Sequence, residues 1–374
     1  MTTRFRARQA WTIASVEMRR AFFSKRAFWV YLLALFPSVI FIGHGLEMKV
    51  RQDRFDSRGV VAPAALDAIK PGMTDKEVVA QLGKPQEDYE FTRRRRDDPD
   101  EETEQARSGK RVVVETVTRH RRLMYWDGSR RADLRFENGM LKDSRIRQMM
   151  DFREDRSIFA FVFQFFYLRL AIFFGCLGIF MNLFRGEMLD KTLHFWFLAP
   201  ARREVLLAGK YLAGLVASSV IFTGGALLCF FAVLWPHSAV EVQAYWQGPG
   251  LEHALRYALA AAMGCVGYGS VFLAAGLLLR NPIIPAAVLL AWEGINGFLP
   301  DILQQLSVLY YLQSMCPVPA PFDSDTPALL KLILAPAAPA SVWVSVLGLL
   351  AVTALVLWAA AQAVKKLEIN YSTE

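Results

Sequence analysis

The chain is poor in the residues that chemistry at an active site usually needs. Of its 374 residues, four are cysteine and five are histidine. Cys176, Cys229 and Cys265 lie inside apolar runs and Cys316 lies beside prolines. None has metal-ligand spacing and no disulfide framework is implied, so they read as small packing residues. The histidines are scattered, and no metal site is expected. Neither H-E-x-x-H nor G-x-S-x-G occurs, which leaves an intramembrane hydrolase unsupported. The phosphate loop G-x-x-x-x-G-K-[ST] is also missing, since Ser108-Gly109-Lys110 lacks the leading glycine. No catalytic residue and no cofactor are therefore expected in this chain. The basic start, MTTRFRARQAWTIASVEMRR, is followed by an apolar stretch without a small-residue cleavage site, so the first apolar segment is expected to be retained.

What the sequence does have is apolar length. Hydrophobic residues make up 54% of it, gathered in runs of 18 or more with few charges. Only Arg51 to Arg156 is polar throughout, a stretch long enough for one small domain. The net charge of +8 does not argue for nucleic acid. Many of the bases sit beside apolar runs, where the positive-inside rule accounts for them, and the rest are mixed with acids.

The fold expected is an α-helical polytopic membrane protein with an N-terminal amphipathic elbow helix, six transmembrane helices and an inserted small α+β extracytoplasmic domain. In the elbow, residues 1–26, Trp11, Ala14, Met18 and Phe22 recur at helical spacing among Arg4, Arg6, Arg8, Arg19 and Arg20. The first span falls in 27–50 and the polar domain in 51–156. Spans two to six fall in 157–364, at about Ile158 to Phe184, Val205 to Leu234, Ala254 to Leu279, Ile283 to Leu299 and Ser341 to Val364. A segment at 301–340 is expected outside, and a tail at 365–374 inside. Arg19, Arg20, Lys25, Arg26, Arg185, Lys191, Arg202, Arg203, Arg280, Lys365 and Lys366 then share one side, which places both termini in the cytoplasm. The polar domain lies opposite, because long domains translocate largely regardless of charge.

The loop at 185–204, RGEMLDKTLHFWFLAPARRE, puts acids first, aromatics in the middle and Pro-Ala-Arg-Arg before the next span. A short helix there would present Phe195, Trp196 and Leu198 and leave Glu187 and Asp190 as handles. With Lys191-Thr192-Leu193, Pro200, Arg202-Arg203 and Gly209-Lys210, the membrane part resembles the membrane subunits of ABC type-2 transporters. That resemblance covers about two thirds of the chain. It implies that the loop is a coupling helix docked on a separate ATP-hydrolysing subunit, present in two copies. ATP and Mg would be bound there. It also implies a second permease subunit, identical or paralogous, in a bacterial inner membrane. ATPase coupling would rest on Glu187, Asp190, Lys191, Thr192, Leu193, Phe195, Trp196, Pro200, Arg202 and Arg203. A transporter, in the export direction, is one reading. A complex that passes ATP-driven motion to envelope proteins without moving a solute is another.

In the polar domain, Thr74 is placed to cap a helix over Asp75 to Leu82, with Glu77 completing a capping box and Gly83 and Pro85 ending it. RVVVETVTRHRRLMYW and RRADLRFENGMLKDSRI alternate as strands, with Asn138-Gly139 as a hairpin turn. Gly72-Met73-Thr74, Val78, Leu82-Gly83-Lys84-Pro85, Tyr125-Trp126, Leu134, Phe136 and Gly139 resemble the small SmpA/OmlA (BamE-like) lipoproteins. Two departures are the missing lipidated cysteine and a charged insert, Arg93 to Lys110, expected as a solvated loop. The resemblance implies a periplasmic interaction module without chemistry, partnered by an envelope protein. Tyr125 and Trp126 are read equally as contact or core.

Two charges interrupt apolar runs, Arg169 in FFYLRLAIFF and Glu293 in LLAWEGINGF. Charges at such depth are usually paired or face water. They are expected either to meet, lining or gating the translocation path, or to snorkel separately. VGYGS at 266–270 echoes a channel filter but lies within a helical run, where small residues serve helix packing.

Overall fold

The computed structural model describes residues 3–97, 114–189, 192–198, 201–279, 283–319 and 339–365. The chain divides into two compact units. One joins residues 1–43 to 152–374, and the other is 44–151.

The first unit is helical. The elbow forms as α1 (Thr3–Phe23), and Ser24 separates it from α2 (Lys25–Arg58), whose Ala27 N–H donates to the Ser24 hydroxyl at 3.2 Å. The buried stripe of α1 is Ile13, Ala14 and Glu17, while Trp11 is exposed. Of the stripe read from the sequence, Ala14 is buried and Met18 and Phe22 are half-buried, and Trp11 alone is exposed. The second apolar segment begins as α5 (Phe152–Val162), widens into a π-helical stretch over Phe163–Ala171, and resumes as α6 (Ile172–Leu189). After α7 (Leu193–Leu198) come α8 (Arg203–Leu234), the short α9 (Ala239–Tyr245) and α10 (Leu251–Leu278). Then follow α11 (Ile283–Ile295), α12 (Asp301–Gln304), α13 (Val308–Met315) and α14 (Val342–Lys365).

Among the described residues, five helices are long and apolar enough to cross a membrane, at Ala27–Arg58, Phe152–Met188, Arg203–Leu234, Ala239–Leu278 and Val342–Lys365, consistent with a multi-pass membrane protein. The expected fifth of six differs. α11 has 13 residues, a rise of roughly 20 Å against a hydrocarbon core of about 30 Å. The segment at 301–340, expected outside, contains a packed helix. All eight residues of α13 are buried, in a helix packed against α10 and α14, while 320–338 lie outside the described residues. VGYGS does serve packing. A Cβ on Gly269 would meet the Phe180 ring at 2.5 Å, and one on Gly267 would meet Val308 at 2.8 Å.

In the second unit the four strands form one antiparallel sheet in the order β1-β2-β3-β4, with β1 at Glu87–Asp97, β2 at Val114–Trp126, β3 at Arg130–Glu137 and β4 at Met140–Gln148. β1 takes Arg93 to Arg96 into the sheet, where the sequence suggested a loop; residues 98–113 lie outside the described residues. The capping box forms as expected. Thr74 N–H donates to Glu77 at 2.8 Å and Glu77 N–H to the Thr74 hydroxyl at 3.3 Å, opening α4 (Asp75–Leu82) after α3 (Pro63–Asp67). Asn138 and Gly139 both have positive φ, 52° and 79°, as a tight hairpin requires. Leu66, Val78, Leu123, Tyr125, Leu134 and Phe136 form the core against one sheet face. On the other face Trp126 packs with Phe55 and Met124. Its indole N–H donates to Asp56 at 2.7 Å. Tyr125 and Trp126 are both buried, so they are core and not the contact surface allowed for in the sequence.

Candidate functional site

The loop at 185–204 folds back on its own helices. α8 begins at Arg203, and its second turn carries Gly209 and Lys210. A Cβ on Gly209 would lie 2.8 Å from Ile13 and 2.9 Å from the Ala10 carbonyl, so glycine here lets α1 cross α8 closely. That crossing sets Glu17, one turn beyond Ile13, against Lys210. The Lys210 side chain is 0% exposed, with Nζ 2.8 Å from Glu17 Oε1 and 2.8 Å from Glu187 Oε1. Its Nζ also donates to the Leu183 carbonyl at 2.8 Å. The Trp196 indole N–H donates to Glu187 Oε1 at 2.8 Å, and Lys210 Nζ lies 5.3 Å from the Trp196 ring centroid. Arg20 stands further out, 3.6 Å from Glu187 and 4.0 Å from Glu17.

One lysine thus binds three chain segments, α1, the end of α6 and α7, to α8. Burying a cation with two carboxylates is costly in solvation, so the cluster persists only while all members are present. Trp196 serves as a latch, because its polar edge finds an acceptor inside while its ring covers the cation.

The loop residues proposed from the sequence therefore separate. Glu187 is buried with Lys210 and Trp196 and is not an outward handle. Trp196 points inward as well. Thr192 is exposed and its N–H donates to the Glu187 carbonyl at 2.8 Å, closing the turn before α7. Phe195 and Leu198 stay outward, 64% and 78% exposed. Arg202 is the exposed N-cap residue of α8. Arg203 turns elsewhere: its guanidinium donates to the Val364 and Lys365 carbonyls at 3.3 and 3.1 Å, capping the end of α14. Asp190, Lys191 and Pro200, and the side chain of Leu193, lie outside the described residues. Lys210 and Glu17 were missed as a site. A lysine within an apolar run is a signal that a partner exists.

Arg169 and Glu293 come within electrostatic range of each other, Arg169 in the π-helical stretch and Glu293 on α11. The Glu293 carboxylate also has local work. It accepts from the Ser307 hydroxyl, from Val308 N–H at 3.1 Å and from Leu309 N–H at 3.3 Å, which satisfies the amino end of α13. Buried Tyr268 adjoins the same pair. No group of three or more His, Cys, Asp or Glu placed to hold a metal occurs among the described residues.

No protein-family model, curated protein or solved structure matches the chain. The two resemblances therefore rest on the quoted residues alone.

Proposed function

We propose that this chain is the membrane-spanning subunit of an ATP-driven ABC type-2 assembly, working as a transporter in the export direction. The observation that carries the reading is the clamp on α7. A short helix between two long apolar helices is fastened inward by Trp196 to the Glu17–Lys210–Glu187 cluster and turns Phe195 and Leu198 outward. A load applied to those two side chains passes into α1, α6 and α8 together, as a rigid-body stroke requires. In this reading two ATPase subunits bind ATP and Mg and grip α7 from the cytoplasm. A second permease subunit completes the path, and the α11–α13 hairpin takes the place of a fifth membrane crossing. Residues 44–151 form a periplasmic BamE-like module. The setting is a bacterial inner membrane with both termini inside.

The second reading, motion passed to envelope proteins without a solute, is favoured by α2. That helix runs unbroken from Lys25 to Arg58, and its last turns are held to the sheet through Asp56 and Trp126. Affinity isolation from the native membrane tests the shared part. The wild-type chain is expected to bring an ATP-hydrolysing subunit, and Phe195→Asp with Leu198→Asp to lose it while still folding. A chain isolated intact without ATPase activity overturns both readings. Reconstitution with ATP then separates them by whether a solute moves.

A further inference from the structure

Between α1, the start of α2 and the inner half of α6 lies an open cavity of about 780 Å³. Its lining includes Arg19, Arg20 and Ser24, all exposed, and Ala27, Val30, Ile179 and Leu183, all buried. Two carboxylates, Glu17 and Glu187, also line it. Lys210, 2.8 Å from both, offsets one of these two charges, and Arg20, 3.6 Å from Glu187 and 4.0 Å from Glu17, faces the other. Counting Arg19, Arg20 and Lys210 against Glu17 and Glu187 leaves three cations to two anions. Arg20 has a side chain 66% exposed and lies 3.6 Å from Glu187 and 4.0 Å from Glu17, too far for a hydrogen bond to either. Its donors are therefore available for an incoming anion.

A cavity lined by two exposed arginines, with one cation in excess, and by buried aliphatic side chains, beside the start of an apolar helix, fits an amphiphile with an acidic head. We propose that it binds one anionic phospholipid, its phosphate between Arg19 and Arg20 and its acyl chains along Ala27, Val30 and Ile179. The lipid would sit against the cluster that clamps α7, and so would tie the setting of α1 to bilayer composition. The proposal needs only a membrane-embedded chain and does not depend on the ATPase.

The test uses the full chain, purified in a neutral detergent and exposed to dioleoylphosphatidylglycerol or dioleoylphosphatidylcholine, with retained lipid counted by native mass spectrometry. One phosphatidylglycerol per chain is expected, with phosphatidylcholine retained far less. Arg19→Gln with Arg20→Gln is expected to weaken retention about thirtyfold, from the usual contribution of two bases at an anionic surface. Gly186→Leu keeps both arginines but fills the cavity, since a Cβ there meets nothing within 4 Å. It is expected to abolish the bound lipid, and it decides the matter if the double variant does not fold. Equal retention of the two lipids overturns the proposal. So does wild-type retention in either variant, or a cavity found filled by a second copy of the chain through cross-links from Arg20→Cys.

Discussion

Replacing Lys210 with methionine should be among the most damaging single changes in the membrane unit. Methionine is about the right length, so little volume is lost, and the effect isolates charge. Lys210 Nζ lies 2.8 Å from one oxygen of each carboxylate. At an effective dielectric of about 20, each attraction has a gross value of roughly 6 kcal/mol, which desolvation largely offsets. What the substitution exposes is the remainder: two buried carboxylates facing one another with only the more distant Arg20 nearby. Breaking such a cluster from one side costs about 3–5 kcal/mol, or roughly a hundredfold to several-thousandfold in the folded-to-unfolded ratio. Equilibrium unfolding in mixed detergent–SDS micelles, followed by tryptophan fluorescence, reads that loss directly. The decisive comparison is the triple variant Glu17→Gln, Glu187→Gln, Lys210→Met. It buries no charge and should recover most of the stability lost in Lys210→Met. A Lys210→Met protein as stable as wild type, or a triple variant no better than the single one, refutes the claim that uncompensated charge is what matters here.

Trp196→Phe removes only the indole N–H from Glu187. It should cost about 1–2 kcal/mol, and on the proposed coupling role it lowers ATP-coupled turnover while binding of the proposed ATPase survives, because Phe195 and Leu198 are untouched. Loss of binding in the same pull-down would contradict the latch. Glu293→Ala leaves the Ser307 hydroxyl and the Val308 and Leu309 amides without their buried acceptor, and should destabilise by about 3 kcal/mol or more. Glu293→Gln, which keeps one acceptor oxygen, should lose less. Hydrogen exchange over 308–315 distinguishes this capping role from one confined to a translocation path. In the second unit, burial penalises the Asp127 charge, but the Arg130 and Ser129 N–H groups and the Arg130 side chain outweigh it and hold the carboxyl below its usual range. Asp88 is held low first by its hydrogen bond from Arg121. Both folded pKa values are depressed. The stabilisation is therefore complete above the unfolded value near pH 4 and is lost as pH falls through the folded ones. Exchange at the β2 and β3 amides should rise below about pH 4, and Asp127→Asn should flatten that rise.

The parts legible in the sequence are those set by near neighbours. The capping box of Thr74 and Glu77 spans three residues, the Asn138-Gly139 turn spans two, and the long apolar helices carry their own signal. β1 was hidden because four consecutive arginines argue for a solvated loop. Pairing with β2 decides otherwise, and basic residues are well suited to an edge strand. α13 was hidden because its apolar run is short and lies among prolines, while the carboxylate that caps it comes from Glu293 on another helix. In the loop, composition correctly marked a short helix but misassigned its faces. Glu187 and Trp196 look like surface handles until Lys210 is brought between them, and that depends on the α1–α8 crossing that Gly209 permits.

The polar character of this joint needs a reason, since an apolar core of the same volume is often equally stable or more so. Apolar packing tolerates small slips of one helix past another. A lysine with three acceptors at 2.8 Å, one on α1 and two on α6, does not, because any slip that lengthens one contact leaves a polar group unmet. Such a cluster makes α1, α6 and α8 answer together to α7 or not at all, and that is the mechanical property a coupling element needs. The same constraint serves a transporter and a transmitter of motion alike. The two readings therefore differ only beyond the joint, in whether a solute passes between the helices.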